Sequence, residues 1–250
     1  MIYRVRKFKY AMEVHILTKE TPTSDPTSDQ LGLGDMFKIK ELNGQLMREF
    51  AEAFARVIDT KDEYTNGHSR RVAAYTRMLA IQLGIDGDEI ERMYNAALLH
   101  DIGKICIPTE LLLKDSQLTS EEYALIQSHP TRGYQILKEV ASMPEFALAA
   151  GCHHERPDGK GYPDQLSGEE IPRIAQIIAV ADSFDAMYSD RPYRPRMNFE
   201  CAVDIIRKGR GTQFTSDVVD AFMSLVEKGV LRAKDDDGGG CFDNIDNTTK

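Results

Sequence analysis

Between Phe37 and Arg232 apolar side chains recur at three- and four-residue steps, and no Val/Ile-rich period-two run exceeds four or five residues. Leu42, Leu46, Phe50, Phe54 and Val57 make one such stripe, which predicts an amphipathic helix. Val72, Tyr75, Leu79 and Leu83 repeat the pattern, with Gly84 as its stop. Ile90, Met93, Ala97 and Leu98 carry a third helix toward His100. Thr119-Ser-Glu-Glu122 has capping-box form and opens a helix expected to run through Leu125, Ile126 and His129. One further apolar stretch leads to Cys152-His153-His154 and another runs from Ile174 to Asp182, with Ile177, Phe184 and Met187 at core spacing. Asn198 and Ser216 are candidate caps for the last two helices. The predicted fold is all-α.

The flanks differ. Residues 1–20 set Ile2, Val5 and Phe8 against Arg4, Arg6, Lys7 and Lys9, a pattern suited to a short strand or the remnant of an upstream domain. Thr21 to Gly34 is rich in Pro, Ser, Thr and Gly and reads as a linker, because it buries too little apolar area to offset ordering entropy. The expected organisation is an N-terminal segment and linker over 1–36, a folded domain over 37–232 and a disordered acidic, Gly-rich tail over 233–250.

Charge narrows the partners. With 31 Lys and Arg against 40 Asp and Glu, the formal net charge is −9, so a nucleic-acid polymer is not an expected ligand. A small phosphorylated ligand in a locally positive pocket remains compatible. No apolar run approaches the roughly 18 residues of a membrane helix. The basic start is too short and polar for a signal peptide, so a cytoplasmic protein with no membrane contact is expected. The four cysteines include no CxxC pair and are expected to be reduced.

Five of the six histidines carry the chemistry. His68 begins a helix, His100-Asp101 ends one, His129 lies in the capped segment, and His153-His154 closes the next. Asp182 follows in Ala179-Val-Ala-Asp-Ser-Phe-Asp185. Imidazole and carboxylate suit first-row divalent metals such as Fe, Mn, Zn or Ni. Adjacent helix residues point about 100° apart, so a doublet at a helix end can flank a metal from one side. A buried, ionised Asp101 beside Leu98 and Leu99 costs several kcal/mol without a partner, and a cation offsets that cost. Seven such ligands exceed what one ion takes and suit two. His15 lies outside this block and is read as an ordinary histidine.

The string His100-Asp101-Ile-Gly-Lys104, then His153-His154-Glu155-Arg-Pro-Asp158-Gly159-Lys-Gly161-Tyr162-Pro163, resembles the HD-GYP family, and His68-Ser-Arg-Arg-Val72 resembles that family's helix start. The resemblance covers about residues 45–230 and implies an HD-superfamily helical bundle with a short GYP loop. It implies a metal-dependent phosphodiesterase that cleaves cyclic di-GMP to linear pGpG, to GMP or to both.

Position by position, the resemblance implies that His68, His100, Asp101 and Asp182 hold one metal, with Asp101 bridging to a second held by His129, His153 and His154. Iron or manganese is implied, though other transition metals satisfy the same ligands. Family members with three metals carry a Glu four residues before the first His; here Tyr64 stands there and Glu63 is out of register, so two metals are expected. Lys104 is expected to meet a phosphate or leaving oxygen, while Arg191, Arg194 and Tyr162 are expected at the substrate. Glu155 and Asp158 are expected to orient the His ligands or the loop. Gly159 and Gly161 are read as positions that permit positive φ.

The implied chemistry is in-line hydrolysis at phosphorus with the 3′ oxygen leaving and no protein nucleophile. Competing readings are a phosphodiesterase for a mixed GMP–AMP ring, a catalytically weak cyclic di-GMP-binding module, and an HD nucleotide phosphohydrolase, which needs no GYP loop. A homodimer, or an upstream sensor or receiver domain, is the expected protein partner.

Overall fold

The structure is a computed structural model and describes residues 33–61, 67–190 and 195–233. Expectations for residues 1–32, for Glu63 and Tyr64, for Arg191 and Arg194, and for the tail from 234 fall outside the described residues. These residues form ten α-helices and no β-strand, only two isolated bridges. The helices are α1 (Leu33–Lys61), α2 (His68–Gln82), α3 (Gly87–Leu98), α4 (Thr109–Leu112) and α5 (Ser120–Ile126). They continue as α6 (His129–Leu137), α7 (Pro144–Cys152), α8 (Arg173–Tyr188), α9 (Phe199–Lys208) and α10 (Ser216–Glu227). The all-α expectation holds.

The chain divides into two compact units, 1–47 and 48–250. Of the first, the described part is the opening of α1, which already begins at Leu33, inside the stretch read as linker. The second unit contains everything that follows.

Helix α8 is its axis. Ile174, Ala175, Ile177, Ile178, Val180, Ala181, Phe184 and Met187 are all buried, so the helix is apolar around most of its circumference. It packs against α2, α7, α9 and α10, while α2 also packs on α3 and α6 on α7. Phe184 anchors an aromatic cluster, edge-on to Tyr75, Phe199 and Phe222 and stacked on Tyr188.

Within the second unit, the Phe50, Phe54 and Val57 part of the leading apolar stripe does not face this core. Phe50, Phe54 and Val57 are 56%, 53% and 54% exposed, and Leu42 and Leu46 are exposed as well. The buried side of α1 is Ala51, Ala55 and Ile58, small residues that allow close helix approach. Arg70 pairs with Glu52, and Arg48 with Glu91, tying that side down.

Two boundaries shift from expectation for identifiable reasons. The Thr119–Glu122 capping box forms, but its helix stops at Ile126 and His129 opens a new one. Pro130 has no N–H to give the Ile126 carbonyl, so the first helix cannot run through it. Thr215, not Ser216, stands at the N-cap position of the last helix but makes no side-chain cap bond, whereas Asn198 caps α9 by accepting from Glu200 N. Cys106 and Cys152 are free thiols as expected, but Cys201 is disulfide-bonded. Among the described residues no helix is long and apolar enough to cross a membrane.

Candidate metal centre

Helix ends build this site. The last carbonyls of a helix have no N–H four residues on to satisfy them. Here imidazoles take several of them. His100 Nδ1 donates to Ala97 O at 2.7 Å at the end of α3. His129 Nδ1 donates at 2.8 Å to Ile126 O, the carbonyl that Pro130 cannot serve. His153 Nδ1 reaches Ala150 O at 3.0 Å and Ala149 O at 3.1 Å at the end of α7. Each bond places the ring proton on Nδ1 and turns Nε2, with its lone pair, inward.

Those lone pairs converge on Asp101. Its Oδ1 lies 3.2 Å from His129 Nε2 and 3.8 Å from His153 Nε2. Its Oδ2 lies 3.4 Å from His100 Nε2 and 3.9 Å from His68 Nε2. Asp182, on α8, sets Oδ1 3.2 Å from His68 Nε2 and 3.9 Å from His100 Nε2. The ligand atoms group as His68, His100 and Asp101 on one side and His129, His153 and His154 on the other, each set within 4.8 Å. All seven residues expected to hold metal are therefore brought together.

Two observations test whether this set fits cations. His100 Nε2 is fully buried without a hydrogen-bond partner, a costly state for an acceptor. His129 Nε2 and His153 Nε2 face each other at 3.2 Å, although both rings carry their proton on Nδ1. Two facing lone pairs need an electrophile between or beside them. The donors fit divalent cations.

Electrostatics agree. Burial, reinforced by the neighbouring His129, holds His154 neutral down to about 3. Burial and the cluster of His154, His100 and His129 likewise push His153 far below the usual imidazole range. Burial opposes ionisation of Asp101, but Lys104, His100 and His129 outweigh it and keep the carboxyl ionised. Asp182 is held low in the same way, chiefly by His68. His68 is the exception: burial disfavours its charge, yet the hydrogen bonds its ring donates to Asp182 and Asp185 lift it to about 9.

Lys104 sits on a 3-10 turn, Ile102–Cys106, that follows the end of α3. Three residues per turn still return it to Asp101, with Nζ 2.7 Å from Oδ2. Gly103 is where this turn meets α6: a Cβ there would lie 1.9 Å from His129 O.

The GYP segment closes over the second His group. The Tyr162 ring stacks on His154 at 4.7 Å and 24°, and Tyr162 N donates to His154 O at 3.2 Å. Buried Glu155 accepts from Asp164 N at 2.7 Å and Leu166 N at 2.9 Å, pinning the loop. Asp158 pairs with Arg156 and accepts from Lys160 N, so the bonds of both carboxylates order the loop. Gly159 has φ +72°, as expected, but Gly161 is required for a different reason: its Cβ would stand 2.5 Å from Arg156 N and His154 O.

Asp185 and Arg71 are the polar residues that sequence reasoning passed over. The i, i+3 spacings His68–Arg71 and Asp182–Asp185 were visible in the chain, but the facing of α2 and α8 that joins them was not.

The bundle and its histidine-lined centre define a helical metal-dependent HD domain, and a family model described as an HD domain matches residues 52–218. The chain belongs to that family, in its HD-GYP branch. It is 41% identical over 160 residues to a 3′3′-cGAMP-specific phosphodiesterase of Vibrio cholerae, covering 64% of this chain and 35% of that protein. A cyclic di-GMP phosphodiesterase response regulator of Xanthomonas campestris is 41% identical over 180 residues, 70% of this chain and 47% of its own length. A cyclic di-GMP phosphodiesterase of Thermotoga maritima is 40% identical over 196 residues, 76% and 53% respectively. The chain thus spans about a third to a half of these relatives. The fold is shared with an HDG"Y"P protein from Bdellovibrio bacteriovorus, at TM-score 0.54 and 18% identity over 82% of this chain and 75% of that one.

Proposed function

We propose that this chain is a phosphodiesterase that uses two divalent cations, iron or manganese, to hydrolyse cyclic di-GMP to pGpG, to GMP or to both. The observation that carries the reading is Asp101, whose two oxygens face two separate groups of inward-turned imidazoles. His68, His100, Asp101 and Asp182 would hold one cation; Asp101, His129, His153 and His154 would hold the other. Bound there, the cations supply Lewis-acid activation of water and neutralise charge on the phosphate.

The chain's own residues do the rest. Nδ1–H bonds to helix-end carbonyls hold His100, His129 and His153 in one tautomer, so none of these three rings has to reorganise before use. Lys104 brings a fixed positive charge to the Asp101 side of the centre, where a phosphoryl oxygen gathers charge in the transition state. Tyr162, Arg191 and Arg194 are assigned to the substrate, the arginines as bidentate phosphate partners. No side chain serves as nucleophile. The catalytic domain is taken as 37–232, in the cytoplasm, with a second copy or an upstream sensor domain as its protein partner.

Hydrolysis of cyclic di-GMP by Mn²⁺-loaded protein, its loss after chelation, and its absence in Asp101→Ala test this reading. Retained turnover by metal-free Asp101→Ala would sink it. A mixed GMP–AMP ring is the second reading, favoured by the 41% identity to a protein named for that substrate. Side-by-side hydrolysis of both rings separates the two.

A further inference from the structure

Four imidazoles of the centre direct Nδ1 to a hydrogen-bond acceptor, and only His68 directs it to a carboxylate. His100, His129 and His153 use backbone carbonyls. His68 Nδ1 lies 2.8 Å from Asp185 Oδ2, while its Nε2 faces Asp182 at 3.2 Å. Asp185 is 1% exposed and is itself held by three hydrogen bonds from two further residues. Arg71 Nε donates to Oδ1 at 2.7 Å, Arg71 Nη2 to Oδ2 at 3.0 Å, and Ser189 Oγ to Oδ1 at 2.9 Å. A buried carboxylate without such partners would be costly; with a bidentate guanidinium it is a fixed anion.

We infer that Asp185 is a positioning residue for His68, and that it makes the His68 half of the centre the tighter of two unequal cation sites. A carboxylate behind an imidazole locks the ring and raises its donor strength more than a neutral carbonyl does. Arg71 and Asp185 thereby acquire a role: the i, i+3 pair on α2 and the i, i+3 pair on α8 clasp, and the clasp fixes one ligand. The inference rests on the two-cation reading proposed above.

Equilibrium dialysis of chelator-treated protein against Mn²⁺, with bound metal quantified, gives two dissociation constants and tests it directly. In Asp185→Asn the tighter site should weaken about 10- to 100-fold while the weaker site stays within about twofold. Arg71→Gln should weaken the same site to a smaller extent, and it serves as the measured variant if Asp185→Asn does not fold. In the His68→Ala background, Asp185→Asn should produce no further loss, a non-additivity that a merely structural residue would not show. Equal weakening of both sites, or unchanged constants in a folded variant, overturns the inference. If wild-type protein binds no Mn²⁺ at all, the two-cation reading itself fails, a result distinct from either.

Discussion

Lys104 Nζ lies 2.7 Å from Asp101 Oδ2, the carboxylate oxygen that also faces His68 and His100. The lysine is buried, so its charge is not dissipated by solvent as a surface lysine's is. This separates two roles. If Lys104 acts on the phosphate, Lys104→Ala keeps both cations and loses turnover, by about 10²–10³-fold in kcat on the scale of a lost transition-state donor. Metal content and kcat measured on one preparation decide. Metal loss in step with kcat would make Lys104 a partner of Asp101 alone.

Metal-free protein should show a stability optimum in pH. His154, neutral down to about 3, and His153, also depressed, refuse protons that the unfolded chain binds below about 6.5. Acidification through that range therefore destabilises the fold. His68 works in the opposite sense: raised to about 9, it contributes fully below about 6.5 and loses its contribution as pH rises through 9. Melting temperature of chelated protein should peak near neutral pH and fall on both sides. Replacing His68 with Ala should flatten the alkaline side. A profile flat across the whole range would contradict the assignment.

The helical periods, the Thr119 cap and the seven converging His and Asp side chains were legible because each rests on local spacing or on residue types with narrow chemistry. Two features were not. A stripe such as Phe50–Phe54–Val57 says that one face of a helix is apolar, not which face the rest of the fold will cover; Ala51, Ala55 and Ile58 won that contact. The His68–Asp185 bond joins residues 117 positions apart, and nothing in the order of the chain reports that α2 and α8 cross there. His129 opens α6 and does not extend α5, because Pro130 next to it ends the earlier helix.

The exposed stripe predicts a contrast in stability. Phe54→Ser removes a half-exposed ring and should change unfolding free energy by no more than about 0.5 kcal/mol. Phe146→Ala empties a fully buried site on α7 and should cost about 3–5 kcal/mol. Urea titrations measure both. If a second copy covers α1, sedimentation of Phe50→Glu/Phe54→Glu should also shift toward monomer, while a monomeric wild type directs the face to an upstream domain.

Gly161 offers the sharpest test of the loop. A Cβ there would stand 2.5 Å from both Arg156 N and His154 O, and neither backbone atom can swing aside as a side-chain tip does. Gly161→Ala should therefore push the chain outward, break the Tyr162 N–His154 O bond and lift the Tyr162 ring from His154. Because His154 belongs to the weaker-held His group, cation affinity on that side should drop about 10- to 100-fold, with helical content unchanged by circular dichroism. Glu155→Ala reaches the same loop from its other end by leaving Asp164 N and Leu166 N without their acceptor, at about 1–3 kcal/mol. If Gly161→Ala binds metal and turns over substrate like wild type, the loop does not support His154, and Tyr162 must act on the substrate alone.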